Sequence, residues 1–477
     1  MKNDFTLIFS DRVSFVAIEM LCESLIENKY PWGKINNAFI FIEGKRKLEA
    51  YYDKIDLLRM GPSWCSYFLK KKNVLSLFKA YDKIYKEGKK EARVIKAKNF
   101  DKTSNAQLIF YFKKFINTYK KVLTFYMAGN QGGEKDVEFL IKDKLSKHYK
   151  DKEIEDIFKL ITEPTIPSRV FLEEKELLKL SKKKNISNRD FLNYVLEFPS
   201  CFINIYEEVE IFDFLREKIK NTDFKEVERE HKKIESRRKD IKKKQQAVFA
   251  KTKDDDIKFF AEFIQRMGVY RLEQKEIYAG LEFAYLSLLK NISQKINLGV
   301  EDMLNLYTSK EIIDFLNRGK KVNSEKIKKR KKIVACLVKS EKLQVLEGEK
   351  VFAFMEKNIK KPEDIKVLKG LSANKGIYSG EAYVMPDVTI SELKHHFDKF
   401  KKGQILIADI TQPNMMLLIK KASAIVTNQG GIACHSAIIS REFNIPCVIG
   451  TKVATKVIKT GDKIEVNGNN GTVTILK

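Results

Sequence analysis

Glycine is spread so unevenly along this chain that its distribution divides the fold before any motif is considered. Ten of the 22 glycines fall after residue 366: Gly370, Gly376, Gly380, Gly403, Gly430, Gly431, Gly450, Gly461, Gly468 and Gly471. A glycine-poor stretch sustains long helices, whereas closely spaced glycines serve tight turns between short elements. Up to about residue 360, apolar residues recur three or four apart, as in Phe68-Leu-Lys-Lys-Lys-Asn-Val-Leu-Ser-Leu-Phe-Lys-Ala-Tyr, and predict helices. Short strands are expected there only near Phe5–Phe9 and Ala38–Ile42. From about Asp364 β-branched runs alternate with short helices and Gly turns. Glu381–Met385, Gln404–Asp409, Ala424–Thr427, Pro446–Gly450, Asp462–Val466 and Thr472–Leu476 read as strands, the last two as a hairpin. Helices fit at Pro413–Lys421, His435–Phe443 and Val453–Lys459. The expected architecture is an all-helical N-terminal domain over 1–360, a hinge at 361–369 containing Pro362, and a compact α/β domain over 370–477.

Between Phe212 and Val248 the chain is dense in charge, with opposite signs at helical spacing and few apolar residues. That pattern predicts a solvated helix with one narrow buried seam, with a sub-boundary near 210–250 or a basic binding arm as the sharper alternatives. Gly129-Asn-Gln-Gly-Gly is the one Gly cluster of the first part, and it is not a phosphate-cradling P-loop.

The chemical centre is Thr427-Asn-Gln-Gly-Gly-Ile-Ala-Cys-His-Ser-Ala-Ile-Ile-Ser-Arg-Glu-Phe-Asn-Ile-Pro-Cys-Val-Ile-Gly. A strand ends at Thr427, the pair Gly430 and Gly431 lets the backbone turn and approach a ligand closely, and His435 stands where a helix begins. Free N–H groups at that helix start, with the positive end of its dipole, favour an oxyanion. Imidazole is a nucleophile at neutral pH because much of it is unprotonated. Thr427 and Ser436 are candidate hydroxyl donors to phosphate oxygens. A lone His beside a Gly pair would otherwise read as a packed helix start.

This run resembles the swivelling phosphohistidine domain of the phosphoenolpyruvate synthase and pyruvate phosphate dikinase superfamily. The similarity extends upstream to Lys402-Gly-Gln-Ile-Leu-Ile-Ala-Asp-Ile-Thr-Gln-Pro and Gly370-Leu-Ser-Ala-Asn-Lys-Gly, and downstream to Gly461-Asp-Lys-Ile-Glu-Val-Asn-Gly. It implies a β/β/α swivelling fold and a phosphoryl group carried on His435. Cys434 occupies a position usually held by Cys or Ser, and Thr411 lies in the family's Thr-x-Pro turn. Arg441 and Glu442 match its Arg-Glu pair. On a helix Glu442 returns to the face of His435 while Arg441 points about 120° away, which suits a structural ion pair better than a phosphate ligand. Relatives commonly carry Thr where this chain has Ala433, which implies that regulation by phosphorylating that position is lost.

The helical part is similar to the substrate-binding region of rifampin phosphotransferases, most clearly over Gln294–Leu316, where Thr308 followed by Glu311 is also a capping box. Arg266, Arg271 and Arg330 are candidate phosphate holders there, with ion pairs as the blander reading. The resemblance implies an ATP-grasp module and a pyruvate-binding barrel elsewhere, neither of which these 477 residues are expected to contain.

The expected role is therefore a phosphoryl carrier and acceptor component of a dikinase-type phosphotransferase. A separate ATP-grasp protein, using ATP and Mg²⁺, would charge His435, as the split modules of phenylphosphate synthase suggest, and a small molecule would be the acceptor. No cofactor motif or metal-ligand spacing is evident in this chain. The net charge of +27 raises nucleic acid as a partner, but the excess is mostly Lys spread over every helix, which argues against it. The competing class is a binding or regulatory protein that retains the phosphohistidine domain, on a polyanion if the charge has meaning. Six scattered cysteines, no signal peptide and no membrane-spanning run predict a cytoplasmic protein.

Overall fold

The structure is a computed structural model that describes the chain except residues 1–4, 12, 28–29, 31–34, 45–46, 131–134, 203–205, 360–366, 387–389, 432–433 and 477. Most of the expected hinge, most of the Gly129–Gly133 cluster and Ala433 therefore lie outside the described residues.

The first part is dominated by helices packed around Asp255–Ala284. That helix starts on Asp254, whose carboxylate accepts from the amides of Asp256 (2.8 Å) and Ile257 (3.2 Å). Lys71–Lys96 and Asn105–Asn130 lie along it, and the aromatic side chains of Tyr81, Phe112, Phe115, Tyr119, Tyr270 and Tyr285 are fully buried between them.

The all-helical expectation needs one correction. Five antiparallel strands form a sheet in the order β1-β3-β2-β4-β5: β1 Phe5–Asp11, β2 Asn37–Glu43, β3 Lys47–Asp53, β4 Ile333–Lys339 and β5 Lys342–Glu347. Strand alternation gives the sheet two buried faces. Ala38, Ile40 and Ile42 enter the main helical core, while Phe39 stacks on Phe354 of the helix Glu349–Asn358 and Phe41 joins the same cluster. β1 and β2 stand where short strands were expected. β4, Ile333-Val-Ala-Cys-Leu-Val-Lys, is apolar up to its exposed last residue Lys339 because both its faces are covered, so it shows no alternation.

The charged stretch resolves into two helices, Glu208–Asn221 and Phe224–Thr252, parted at Asp223. Val227, His231, Ile234, Ile241 and Val248 form the single buried seam of the second, which packs within the fold rather than projecting as an arm.

The C-terminal unit is an eight-stranded mixed sheet in the order β6-β13-β12-β8-β9-β10-β11-β7. Its strands are β6 Val367–Lys369, β7 Leu371–Asn374, β8 Ile377–Val384, β9 Ile405–Ala408, β10 Ala424–Thr427, β11 Cys447–Ile449, β12 Lys463–Asn467 and β13 Thr472–Leu476. β8, β9, β10 and β11 run parallel, and β12 and β13 form the expected antiparallel hairpin. The short edge strands β6 and β7 and the helix Ile390–Lys399 went unanticipated.

The two units are docked. One apolar cluster runs from Leu177, Tyr194 and Phe214 across to Phe397, Met416 and Ile439. Lys420 reaches Glu174 (3.0 Å) and Glu230 (2.9 Å), and Arg238 reaches Glu442 (2.5 Å). This docking sets what surrounds His435.

Candidate functional site: a buried histidine between two domains

β10 ends at Thr427 and the helix His435–Glu442 begins seven residues after Asn428 opens the loop, with Cys434 as its N-cap residue. The start of the loop is pinned from below by Asp409, whose carboxylate accepts from Asn428 Nδ2 (2.7 Å) and Gln429 Nε2 (2.7 Å). Asn428 is further tied to Thr455, donating to its Oγ1 at 2.6 Å and accepting from its amide at 3.0 Å. Gly430 has φ +127°, and a Cβ there would stand 2.7 Å from Cys434 Sγ, so the turn requires glycine on both counts. Gly431 faces open space.

His435 is buried, and its Nδ1 lies 2.7 Å from Thr411 Oγ1, which in turn lies 2.8 Å from Ser436 Oγ. In the tautomer whose Nδ1–H donates to Thr411, the lone pair of the neutral ring lies on Nε2. Nε2 is buried and has no hydrogen-bond partner. Burial, assisted by the ammonium of Lys275 on the Asp255–Ala284 helix, lowers the imidazole pKa from 6.5 to about 3. The ring is thus held neutral, chiefly by burial and also by the charge of Lys275 in the other domain.

The remaining candidates separate. Thr427 turns its hydroxyl to the Gln429 carbonyl (2.5 Å), so it shapes the loop instead of offering a donor to a ligand. Ser436 and Thr411 both serve the His435 ring. Arg441 is half-buried and donates through Nε to the Ala373 carbonyl (2.9 Å), and desolvation lowers its pKa. Glu442 accepts from Ser168 Oγ (3.1 Å) and from Arg238, both across the domain boundary; burial raises its pKa and Arg238 opposes this. Neither residue of the Arg-Glu pair meets the imidazole.

In the first domain Arg266 pairs with Asp82 (2.8 Å) and Glu273 (2.9 Å), and Arg330 with Glu311 (2.7 Å) and Glu347 (2.8 Å), which leaves both in ion pairs. The Arg271 side chain lies outside the described residues. The Thr308–Glu311 capping box is present in both directions. Among the described residues no group of His, Cys, Asp or Glu is placed to hold a metal ion, and no helix is long and apolar enough to cross a membrane.

Sequence reasoning missed Lys275, Asp409, Asn428 and Gln429. The last three had a signal, since amide and carboxyl side chains cluster at the ends of two adjacent parallel strands. Lys275 had none, being one lysine among many.

A buried imidazole thus stands at a helix start, on a loop at the carboxyl ends of parallel strands. Residues 400–471 match the family model for the PEP-utilising enzyme mobile domain, and over this region the chain is similar to phosphoenolpyruvate synthases. It is 39% identical over 136 residues to a probable phosphoenolpyruvate synthase of Pyrococcus horikoshii, covering 28% of this chain and 16% of that protein. It is 47% identical over 107 residues to the phosphoenolpyruvate synthase of Pyrococcus furiosus, covering 22% and 12%. Over 107 residues it is 37% identical to the uncharacterized phosphotransferase YvkC of Bacillus subtilis, again covering 22% and 12%. The chain thus spans about one sixth or less of the length of these relatives.

Proposed function

We propose that His435 accepts a phosphoryl group on Nε2 and passes it to a small-molecule acceptor held by the helical domain. The observation that carries this reading is the buried Nε2 without a partner, its ring fixed through Nδ1 by Thr411 and kept neutral by burial and the Lys275 charge. In the first step the Nε2 lone pair attacks phosphorus and the bond to the donor's leaving oxygen breaks. The Nδ1 proton is then shared with Thr411 as the ring gains positive character. In the second step an acceptor oxygen attacks the same phosphorus, the N–P bond breaks and the imidazole returns to neutral. Lys275 supplies positive charge for the oxygens in transit.

The donor would be an ATP-grasp module on a separate chain, using ATP and Mg²⁺. The helical bundle and antiparallel sheet of the first domain suit an acceptor region better than a triphosphate cradle, because among the described residues no Gly-rich loop there joins a strand to a helix. Incubation with ³²P-ATP labelled at the β or γ position, with and without cell extract, tests this. The expected label is acid-labile, base-stable, dependent on extract and absent from His435→Asn. Wild-type protein that takes no label under any of these conditions overturns it.

One observation favours a second reading, a binding or regulatory protein. The carrier domain is sealed to the helical domain by a shared core and buried ion pairs, as a sensor held in one state would be. The same labelling experiment separates the two.

A further inference from the structure

His435 and the threonine that holds its ring stand on different loops. Thr411 follows β9 and His435 follows β10, the two strands being parallel neighbours. The Thr411–His435 hydrogen bond therefore forms only while the two loops keep one spacing. Backbone bonds carry the strand pairing one step past the strand ends. They run from the Asn428 amide to the Ala408 carbonyl and from the Gln429 amide to the Asp409 carbonyl, each 3.1 Å. Side chains continue the link, and the first of them is Asp409.

Asp409 is fitted to two amides. Its Oδ1 accepts from Asn428 Nδ2 and its Oδ2 from Gln429 Nε2, both at 2.7 Å. An ionised carboxylate offers an acceptor on both sides. An amide in its place would turn an N–H towards one of the two donors whichever way round it lay. On its other side Asn428, itself buried, accepts from the Thr455 amide (3.0 Å) and donates to the Thr455 hydroxyl (2.6 Å). The clamp thus runs from the Thr411 loop, through the start of the His435 loop, to the turn of helix at Ala454–Val457.

We infer that Asp409 is a positioning residue: its clamp holds the His435 loop where Thr411 meets Nδ1, and so fixes which ring nitrogen carries the proton. A group that holds the partner of a reacting histidine sets that ring's tautomer and orientation from outside the reaction itself. The consequence for phosphoryl transfer rests on His435 being the carrier. The consequence for the ring does not.

The test exchanges the two groups of the clamp. Asp409→Asn alone sets an N–H against one of the two amides, and Asn428→Asp alone sets two carboxylates against each other. Asp409→Asn combined with Asn428→Asp restores an N–H···O bond between the two positions and leaves a carbonyl to accept from Gln429. Thr455 can then donate to position 428 from both its amide and its hydroxyl. The full chain labelled with ¹⁵N in histidine has five imidazoles, and the signals lost in His435→Asn are those of His435. In the wild type their nitrogen shifts should report one neutral tautomer, with its proton on Nδ1. Each single variant should average between the two tautomers, and its ³²P label should fall about tenfold; the double exchange should restore both. Gln429→Leu removes one arm of the clamp and should move the same shifts, which supplies the comparison where a single variant fails to fold by circular dichroism. Folded variants that keep the wild-type nitrogen shifts overturn the inference, as does a double exchange no better than the worse single variant. A wild type that takes no label overturns the carrier reading instead, and the nitrogen shifts then decide the positioning role alone.

Discussion

At the scale of single residues, a phosphoryl-accepting imidazole must present one lone pair while its other nitrogen is held, and Thr411 meets the second need from 24 positions away. Thr411→Val removes that hold and frees the ring to place its proton on Nε2. Labelling of the variant is expected to fall about ten- to a hundredfold, as when the orienting partner of a ligating histidine is lost, and Thr411→Ser should restore it. The depressed pKa of His435 also has a thermodynamic sign. Below about pH 6.5 the unfolded chain protonates this ring while the folded chain, with a pKa of about 3, does not. Its contribution therefore declines as pH falls through that window, by at most about 1.4 kcal/mol per pH unit. Glu276 and Glu282, raised to about 7 by burial, act oppositely, gaining stability as pH falls from that value towards the ordinary 4.5. The melting temperature of the wild type minus that of His435→Asn should thus decrease from about pH 7 to about pH 5, and a constant difference would contradict the buried neutral ring.

At the scale of elements, the helix Phe224–Thr252 shows how local legibility ends. Its buried seam follows from sequence spacing, but the residues that matter for docking are Glu230, Arg237 and Arg238, which spacing alone assigns to solvent. Its start is set by Asp223, whose carboxylate accepts from the amides of Lys225 (3.0 Å) and Glu226 (3.1 Å). Asp223→Ala should cost about 1 kcal/mol of stability in denaturant unfolding. The sheet of the first domain makes the same point. β1 and β2 were visible as short apolar runs near the N-terminus. β4 pairs with β2 in a register that sets Cys336 opposite Ile40, and no local pattern encodes a partner so distant along the chain.

At the scale of the whole molecule, His435 is buried on a helix whose Ile439 and Glu442 join the domain boundary, so its accessibility is expected to report on docking. Arg238→Ala combined with Lys420→Met leaves Glu442, Glu174 and Glu230 without their cross-boundary cations. Stranding a buried carboxylate typically costs about 3–5 kcal/mol, less where water reaches it. The double variant should therefore undock more often, and carbethoxylation of His435 by diethylpyrocarbonate, followed by mass spectrometry, should speed up more than tenfold. An unchanged rate would show that the apolar contacts alone hold the domain.

The contiguous run from Thr427 to Gly450 by itself determined the position of His435, the turn before it and the helix that starts there, because each depends on neighbours a few residues away. The strands and helices that carry this run were legible for the same reason, their periods being local. Only the tertiary structure decided that Thr411 holds the ring, that the Lys275 charge bears on it, that Arg441 and Glu442 serve the interior and the boundary, and that a sheet stands among the helices. These pairings join residues far apart in the chain. They come about when long helices pack along their buried seams, and a seam fixes which face is hidden without naming what lies opposite.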